Sequence, residues 1–440
     1  MPDGAEIIGA RRGFQGCRMT SGTPIDPARM QPAAAKPGRD VRLDFFRGLA
    51  MFIIFVAHMP GNSWFNFIPA RFGFSSAGEL FVFCSGLASA FAFGRVFDNE
   101  GWLQGTRRIL YRIWQVYWAH IGLALGLIVI SVAALDLTGI DYPEKLGLAW
   151  LFANPGDGLL RLMTLRLSPA FLDILPMYLV LLAMLPAMML PFLVLPAKFS
   201  RLLPLAAIAA LWIGVQVWGI NLPGGQMPGM VWFFNPFAWQ AVFFTGFAFG
   251  MGWLPVPRLE RSALFWFCTA LLILSVPVNF WAFTETWPVL ADLHTWFVPE
   301  DGKTNLALPL YVHFLASAYV ALVLVEPVRD RLAAFRPIIL VGQQALATFM
   351  ASILLAWTGG MVLDAFGRNE PVIALVNLGG FAGLIGVAMI ARGYKRGKKS
   401  PEIVKTPAPA GQRDGAIVQA PGHTRFGPIP GPAGSPHPAE

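Results

Sequence analysis

The chain has 440 residues, 55% of them hydrophobic and 13% charged, and its mean hydropathy is +0.57; a soluble enzyme with that composition would expose large apolar patches, so the lipid bilayer is the first partner. The formal net charge is +8, but the basic residues are scattered through short loops between apolar runs rather than gathered in one stripe, which excludes a nucleic-acid surface. Cys17, Cys84 and Cys268 show no CxxC or Cys/His spacing, so neither a metal site nor a disulfide framework is expected.

In chain order, residues 1–42 form a polar, basic tail without an apolar stretch of signal-peptide type, and are expected to lie in the cytoplasm. Ten apolar segments follow, at 43–62, 76–94, 110–135, 172–195, 202–220, 235–254, 263–283, 306–327, 338–363 and 371–391. Each is long enough to cross about 30 Å of hydrocarbon as a helix. The expected fold is therefore an all-α polytopic membrane protein with a ten-helix domain over 43–392. Pro176, Pro186 and Pro277 predict kinks. Residues 393–440, basic and then rich in Pro, Gly and Ala, read as a disordered cytoplasmic tail.

Ten spans divide the 33 Lys and Arg residues very unevenly. Only Arg71, Lys145, Arg161, Arg166, Lys303 and Arg368 fall on one side, Arg47 lies inside the first span, and all the others share the side of the two termini. The positive-inside rule then puts both termini in the cytoplasm. On the opposite side, the longer segments 136–171 and 284–305 carry Asp141, Glu144, Asp157, Glu285, Asp292, Glu300 and Asp301 among tryptophans and glycines. They suit ordinary extracytoplasmic loops or a sugar-binding lid.

The first span holds the clearest chemical signal, with Asp44 and Arg47 near one end and His58 at the other. The roughly 1100° between Arg47 and His58 lies within about 20° of three full helical turns, and Asp44 falls about 40° beyond His58 in the same sense. All three share one face, with Arg47 and His58 about 16 Å apart along it. Asp44 and Arg47 can pair at i, i+3. An interfacial ion pair and a histidine reaching interfacial water would explain the residues singly. The shared face favours function, because ionisable groups inserted in a bundle are costly.

An Arg, ten residues and a His in the first span resemble the membrane acyltransferases of acyltransferase family 3. More narrowly, Arg39-Asp40-Val41-Arg42-Leu43-Asp44-Phe45-Phe46-Arg47-Gly48, His58-Met59-Pro60-Gly61-Asn62, Arg71-Phe72-Gly73-Phe74-Ser75 and Glu79-Leu80-Phe81-Val82-Phe83-Cys84-Ser85-Gly86 resemble the OpgC family, which succinylates osmoregulated periplasmic glucans. Asp173-Ile174-Leu175-Pro176-Met177-Tyr178, Asn235-Pro236-Phe237-Ala238-Trp239-Gln240, Lys303-Thr304-Asn305-Leu306 and His313 extend the likeness over about 39–392. The chain departs from that pattern at Ala57 and Ser76, where acidic residues are expected, and at the less polar Gly-Gln-Gln-Ala-Leu of 342–346.

The resemblance implies a bacterial inner-membrane O-acyltransferase that takes succinyl-CoA as donor, uses no metal and modifies a periplasmic glucan; a homodimer is compatible with it. His58 is the expected general base, or itself a transient acyl carrier, since neutral imidazole suits proton transfer from a hydroxyl. Asp44, Arg47 and Glu79 join it as catalytic candidates. Arg47, Arg107, Arg108 and Arg112, with Arg95 nearby, are candidates for the CoA phosphates, although the loop arginines also serve orientation. Arg71, Arg166 and Lys303 are the cations expected for an acyl carboxylate. Arg71, Asp173, Tyr178, Asn235, Trp239, Gln240, Lys303, Asn305 and His313 are the expected substrate-binding set. His120 could face the same cavity. A secondary transporter is the rival reading, but it predicts an inverted repeat, and the later half carries no second copy of the Arg47–His58 arrangement.

Overall fold

The computed structural model describes residues 40–397. Helices dominate them, and the only strand-like pairings among the described residues are two isolated β-bridges, Leu167 with Gly225 and Pro223 with Val231. Each expected apolar segment holds a helix: α1 Val41–His58, α2 Ala77–Ser89, α3 Trp102–Thr138, α4 Ile174–Met189, α5 Ala197–Trp218, α6 Pro236–Gly250, α7 Ala263–Asn279, α8 Leu308–Val325, α9 Ala345–Phe366 and α10 Glu370–Gly397. The expected tails lie outside the described residues, apart from 40–42 and 393–397. There α1 begins at Val41, and α10 runs on through Gly397, past the expected boundary at 392.

By length and composition, seven helical stretches are able to cross a membrane, and they include α2, α3, α4, α5, α8, α9 and α10. The other three fall short for separate reasons. Arg42, Asp44 and Arg47 interrupt the apolarity of α1, while α6 and α7 have only 15 and 17 residues. Helix α6 is buried almost all round, from Ala238 to Ala248. It forms the axis of the bundle, shielded from lipid by its neighbours, and its sequence is accordingly apolar on every face.

Glycine sets the closest crossings. A side chain at Gly86 of α2 would run into the carbonyl of Phe243 on α6, and one at Gly246 into the carbonyl of Phe83 on α2. Gly246 and Gly250 form a GxxxG pair, and in lipid, where apolar association is weak, such backbone contact supplies the packing energy. The helix Arg336–Gln343 lies equally close to α1, with Gly48 against Ile338 and Gly342 against the Asp44 carbonyl.

The helix starts follow local chemistry. Asp40 caps α1 through the Arg42 amide at 2.9 Å. Ser76 and Glu79 form a reciprocal capping box on α2. Asn235 caps α6 ahead of Pro236. Pro176 falls in the first turn of α4, where its missing N–H is no loss, so no kink is required there; Pro186 and Pro277 do lie inside α4 and α7. The expected continuous segment 338–363 is broken: Arg336–Gln343 ends at Gln344, and α9 starts anew at Ala345. Close approach to α1 at Gly342 turns the chain at this point, and hydropathy cannot register such a contact.

Candidate active site

Helix α1 carries Asp44, Arg47 and His58 on one face. Asp44 is only 2% exposed, and Gln343, at the end of the helix preceding the break, donates its side-chain amide to Asp44 Oδ2 at 3.3 Å. Arg47 and Asp44 both lie within electrostatic reach of Cys84 on α2. Between Arg47 and His58 the same face carries Met51 and Ile54, both buried. The face that Asp44, Arg47 and His58 share is therefore interrupted by two packed apolar side chains at helical spacing. Arg47 and His58 serve separate ends.

His58 closes the last turn of α1. Its Nδ1–H donates to the carbonyl of Ile54, one turn back, at 2.7 Å. That bond selects the tautomer and leaves the Nε2 lone pair without a protein partner among the described residues. The imidazole stands edge-on to Phe171, ring centroids 4.3 Å apart, and Phe171 in turn contacts Trp357 of α9 at 5.9 Å. Phe171 has φ 70°, a left-handed conformation that a bulky residue adopts only where its surroundings impose it.

His58, Phe171 and Trp357 line a cavity of about 420 Å³ together with Ala57, Met59, Pro60, Lys145, Ala170 and Arg368. Trp357 is 4% exposed, yet its indole N–H has no partner among the described residues. Lys145 and Arg368 both pair with Asp364, Lys145 at 3.7 Å and Arg368 through Nε at 3.0 Å and also through Nη2. Tyr142 donates its hydroxyl to Asp364 at 3.0 Å. The Arg368 guanidinium occupies the space that a side chain on Gly61 would need, which sets it against the turn immediately following α1.

Four of the nine expected substrate residues, Asn235, Trp239, Lys303 and Asn305, meet elsewhere, in a network between α2, α6 and the segment before α8. Glu79 is fully buried; it accepts from the Ser76 amide and hydroxyl, each at 2.8 Å, and pairs with Lys303. Lys303 also donates to Ser76 at 2.8 Å and stands 5.2 Å over the Trp239 ring, whose N–H returns to the Lys303 carbonyl at 3.0 Å. Asn235 donates to Asn305 at 2.9 Å. Gln240 donates to the Ile208 carbonyl at 2.8 Å. None of these residues lines the His58 cavity.

The departure at Ser76 has a structural use, because its hydroxyl bridges Glu79 and Lys303, which also pair directly. His313 differs from His58 in the same respect that matters for a base. Its Nδ1 accepts from the Ser75 amide at 3.3 Å and lies 2.8 Å from the Ser75 hydroxyl, so Nε2 carries the proton toward Ser275 at 3.1 Å. The lone pair of His313 is spent. His120 is fully buried in α3, and among the described residues neither ring nitrogen has a partner.

The remaining candidates are spread out. Asp173, at the N-cap of α4 and two residues beyond Phe171, has its carboxyl pushed up to about 6 by burial, with Ser168 acting in the opposite direction. Tyr178 packs against Phe243. The Arg71 guanidinium lies 5.2 Å over Phe65, outside the His58 cavity. Arg107, Arg108 and Arg112 sit in the first turns of α3, where Arg108 faces Glu100 at 3.9 Å and Arg112 donates to Gln115 at 3.3 Å.

Sequence reasoning missed Lys145, Phe171, Trp357, Asp364, Arg368 and Gln343. Lys145 and Arg368 did carry a signal, since the count of Lys and Arg between ten spans sets them among the few basic residues expected opposite the termini, where orientation would not need them. Phe171 and Trp357 carried none.

A bundle of helices, seven stretches of which are long and apolar enough to cross a membrane, defines a polytopic membrane protein, and a cavity at the end of its first helix holds a histidine beside two cations. The chain belongs to the OpgC family: the family model described as OpgC protein matches residues 39–396. That membership points to an acyltransferase related to osmoregulated periplasmic glucans. No curated protein and no solved structure matches the chain.

Proposed function

We propose that the chain is an inner-membrane O-acyltransferase that moves a succinyl group from cytoplasmic succinyl-CoA to hydroxyls of osmoregulated periplasmic glucans, within the wider circle of acyltransferase family 3. The observation that carries this reading is the His58 tautomer: Nδ1–H held by the Ile54 carbonyl, and Nε2 free beside a cavity. A glucan hydroxyl oxygen attacks the thioester carbonyl while Nε2 takes its proton; the C–S bond then breaks, and the imidazolium returns the proton to the departing thiolate. Ile54 does the orienting that an acidic neighbour would do, because its carbonyl accepts from Nδ1–H and stabilises the charge that develops on the ring. Attack by Nε2 itself, giving an acyl-histidine that the hydroxyl then relieves, uses the same geometry.

The phosphates of the donor fit the arginines at the start of α3, and Arg47, near the same end of α1, suits the pyrophosphate or the pantetheine arm. The test is transfer of radiolabelled succinyl from succinyl-CoA to glucan by purified protein in detergent, beside His58→Ala. Label that disappears in the variant supports the reading; label that persists removes His58 from the chemistry. No transfer from any donor by a folded protein would return the transporter reading to first place. Acid-quenched, label-bearing protein before glucan is added would distinguish the acyl-histidine route.

A further inference from the structure

We propose that Lys145 and Arg368 form a carboxylate-binding subsite beside His58, which makes the protein prefer an acyl group ending in a carboxylate. The inference deepens the acyl-transfer reading and rests on it. Both cations line the same cavity as His58, and they share one carboxylate, Asp364, so the rim keeps one positive charge in excess. Arg368 gives Nε and Nη2 to Asp364, which leaves Nη1, beside Gly61, as the donor nearest the end of α1. Lys145 holds Asp364 at a long 3.7 Å and packs 5.1 Å over the Tyr142 ring. Trp357 lines the same cavity and carries a buried N–H with no acceptor among the described residues.

Three donors, one excess positive charge and walls of Phe171, Trp357 and Ala170 call for an anionic, acceptor-rich group with a short apolar body. A carboxylate-bearing acyl chain has that form. An acetyl group leaves the excess charge unmatched. None of the three cations expected for this task lines this cavity: Lys303 pairs with Glu79, Arg71 lies over Phe65, and Arg166 is exposed.

The test uses full-length protein in detergent with a neutral glucan as acceptor, so that any carboxylate dependence arises from the donor. Succinyl-CoA and acetyl-CoA are compared for wild type, Arg368→Gln, Lys145→Gln and Arg368→Lys. The expected result is a fall of roughly tenfold to a hundredfold in the succinyl-to-acetyl ratio of kcat/KM for the two Gln variants, with partial retention in Arg368→Lys. Both donors falling together at an unchanged ratio would overturn the proposal and make the pair structural.

A second arm measures thermal stabilisation by monomethyl succinate, which keeps one carboxylate, against dimethyl succinate, which keeps none. Stabilisation of wild type by the first alone, lost in Arg368→Gln, supports the subsite. Equal effects of the two esters on wild type overturn it. If wild type transfers from neither donor, the acyl-transfer reading fails, and the ester comparison still decides the subsite.

Discussion

Replacing Gly61 by alanine probes the contact that holds Arg368 at the end of α1. Gly61 has φ 75°, and a Cβ there would meet the Arg368 guanidinium. The backbone conformation alone costs an alanine about 1 kcal/mol. Gly139 supplies the control, because it has φ 70° with no heavy atom within 4 Å of its would-be Cβ. Gly139→Ala should therefore lose only about 1 kcal/mol. Gly61→Ala must also displace Arg368 from Asp364, whose side chain is only 11% exposed, and charge-assisted hydrogen bonds of that kind contribute roughly 1.5–3 kcal/mol. The expected total is about 2–4 kcal/mol. Thermal or denaturant unfolding in detergent measures both variants, and repeating Gly61→Ala in an Arg368→Ala background closes a double-mutant cycle. In that background the loss should shrink to the value of the control. Equal losses for Gly61→Ala and Gly139→Ala in the wild-type background, or an undiminished loss without Arg368, would refute the argument.

Three further outcomes follow from the same geometry. His58→Gln should lower transfer by roughly a hundredfold or more without changing thermal stability by more than about 1 kcal/mol, since on the proposed mechanism it removes the base at a cavity edge; a fully active variant would exclude base catalysis by this residue. Glu79→Gln or Lys303→Met alone should destabilise by about 3–5 kcal/mol by stranding one partner of a buried pair, and the double variant should regain much of that loss; additive losses would show that the two do not act as a pair. Asp173 supplies a pH signature. Its carboxyl, raised from 3.8 to about 6 in the fold, favours the protonated form there. Its contribution is therefore fully present below about pH 4 and is lost as pH rises through about 6. Asp173→Asn should match wild type near pH 4 and exceed it at pH 7 by up to about 3 kcal/mol, as read from unfolding midpoints across that range; a constant difference at all pH values would contradict the burial argument.

The apolar runs determined the helices by themselves, because a segment that crosses lipid has to satisfy its own backbone hydrogen bonds, and only a helix does so within one segment. The shared face of Asp44, Arg47 and His58 was equally legible, since it follows from helical periodicity alone. The network of Glu79, Asn235, Trp239, Lys303 and Asn305 was legible as a set of residues but not in its use: it closes on itself, and sequence carries no record of which polar groups satisfy one another. Which histidine keeps a lone pair was decided only in three dimensions, by the Ile54 carbonyl at His58 and by Ser75 at His313. The cavity wall was likewise a tertiary fact. Lys145, Phe171, Trp357 and Arg368 come from four separate stretches of chain, each with its own local reason to be where it is. They meet at the end of α1 because helix packing and a strained loop bring them there, through contacts that no local pattern of residues encodes.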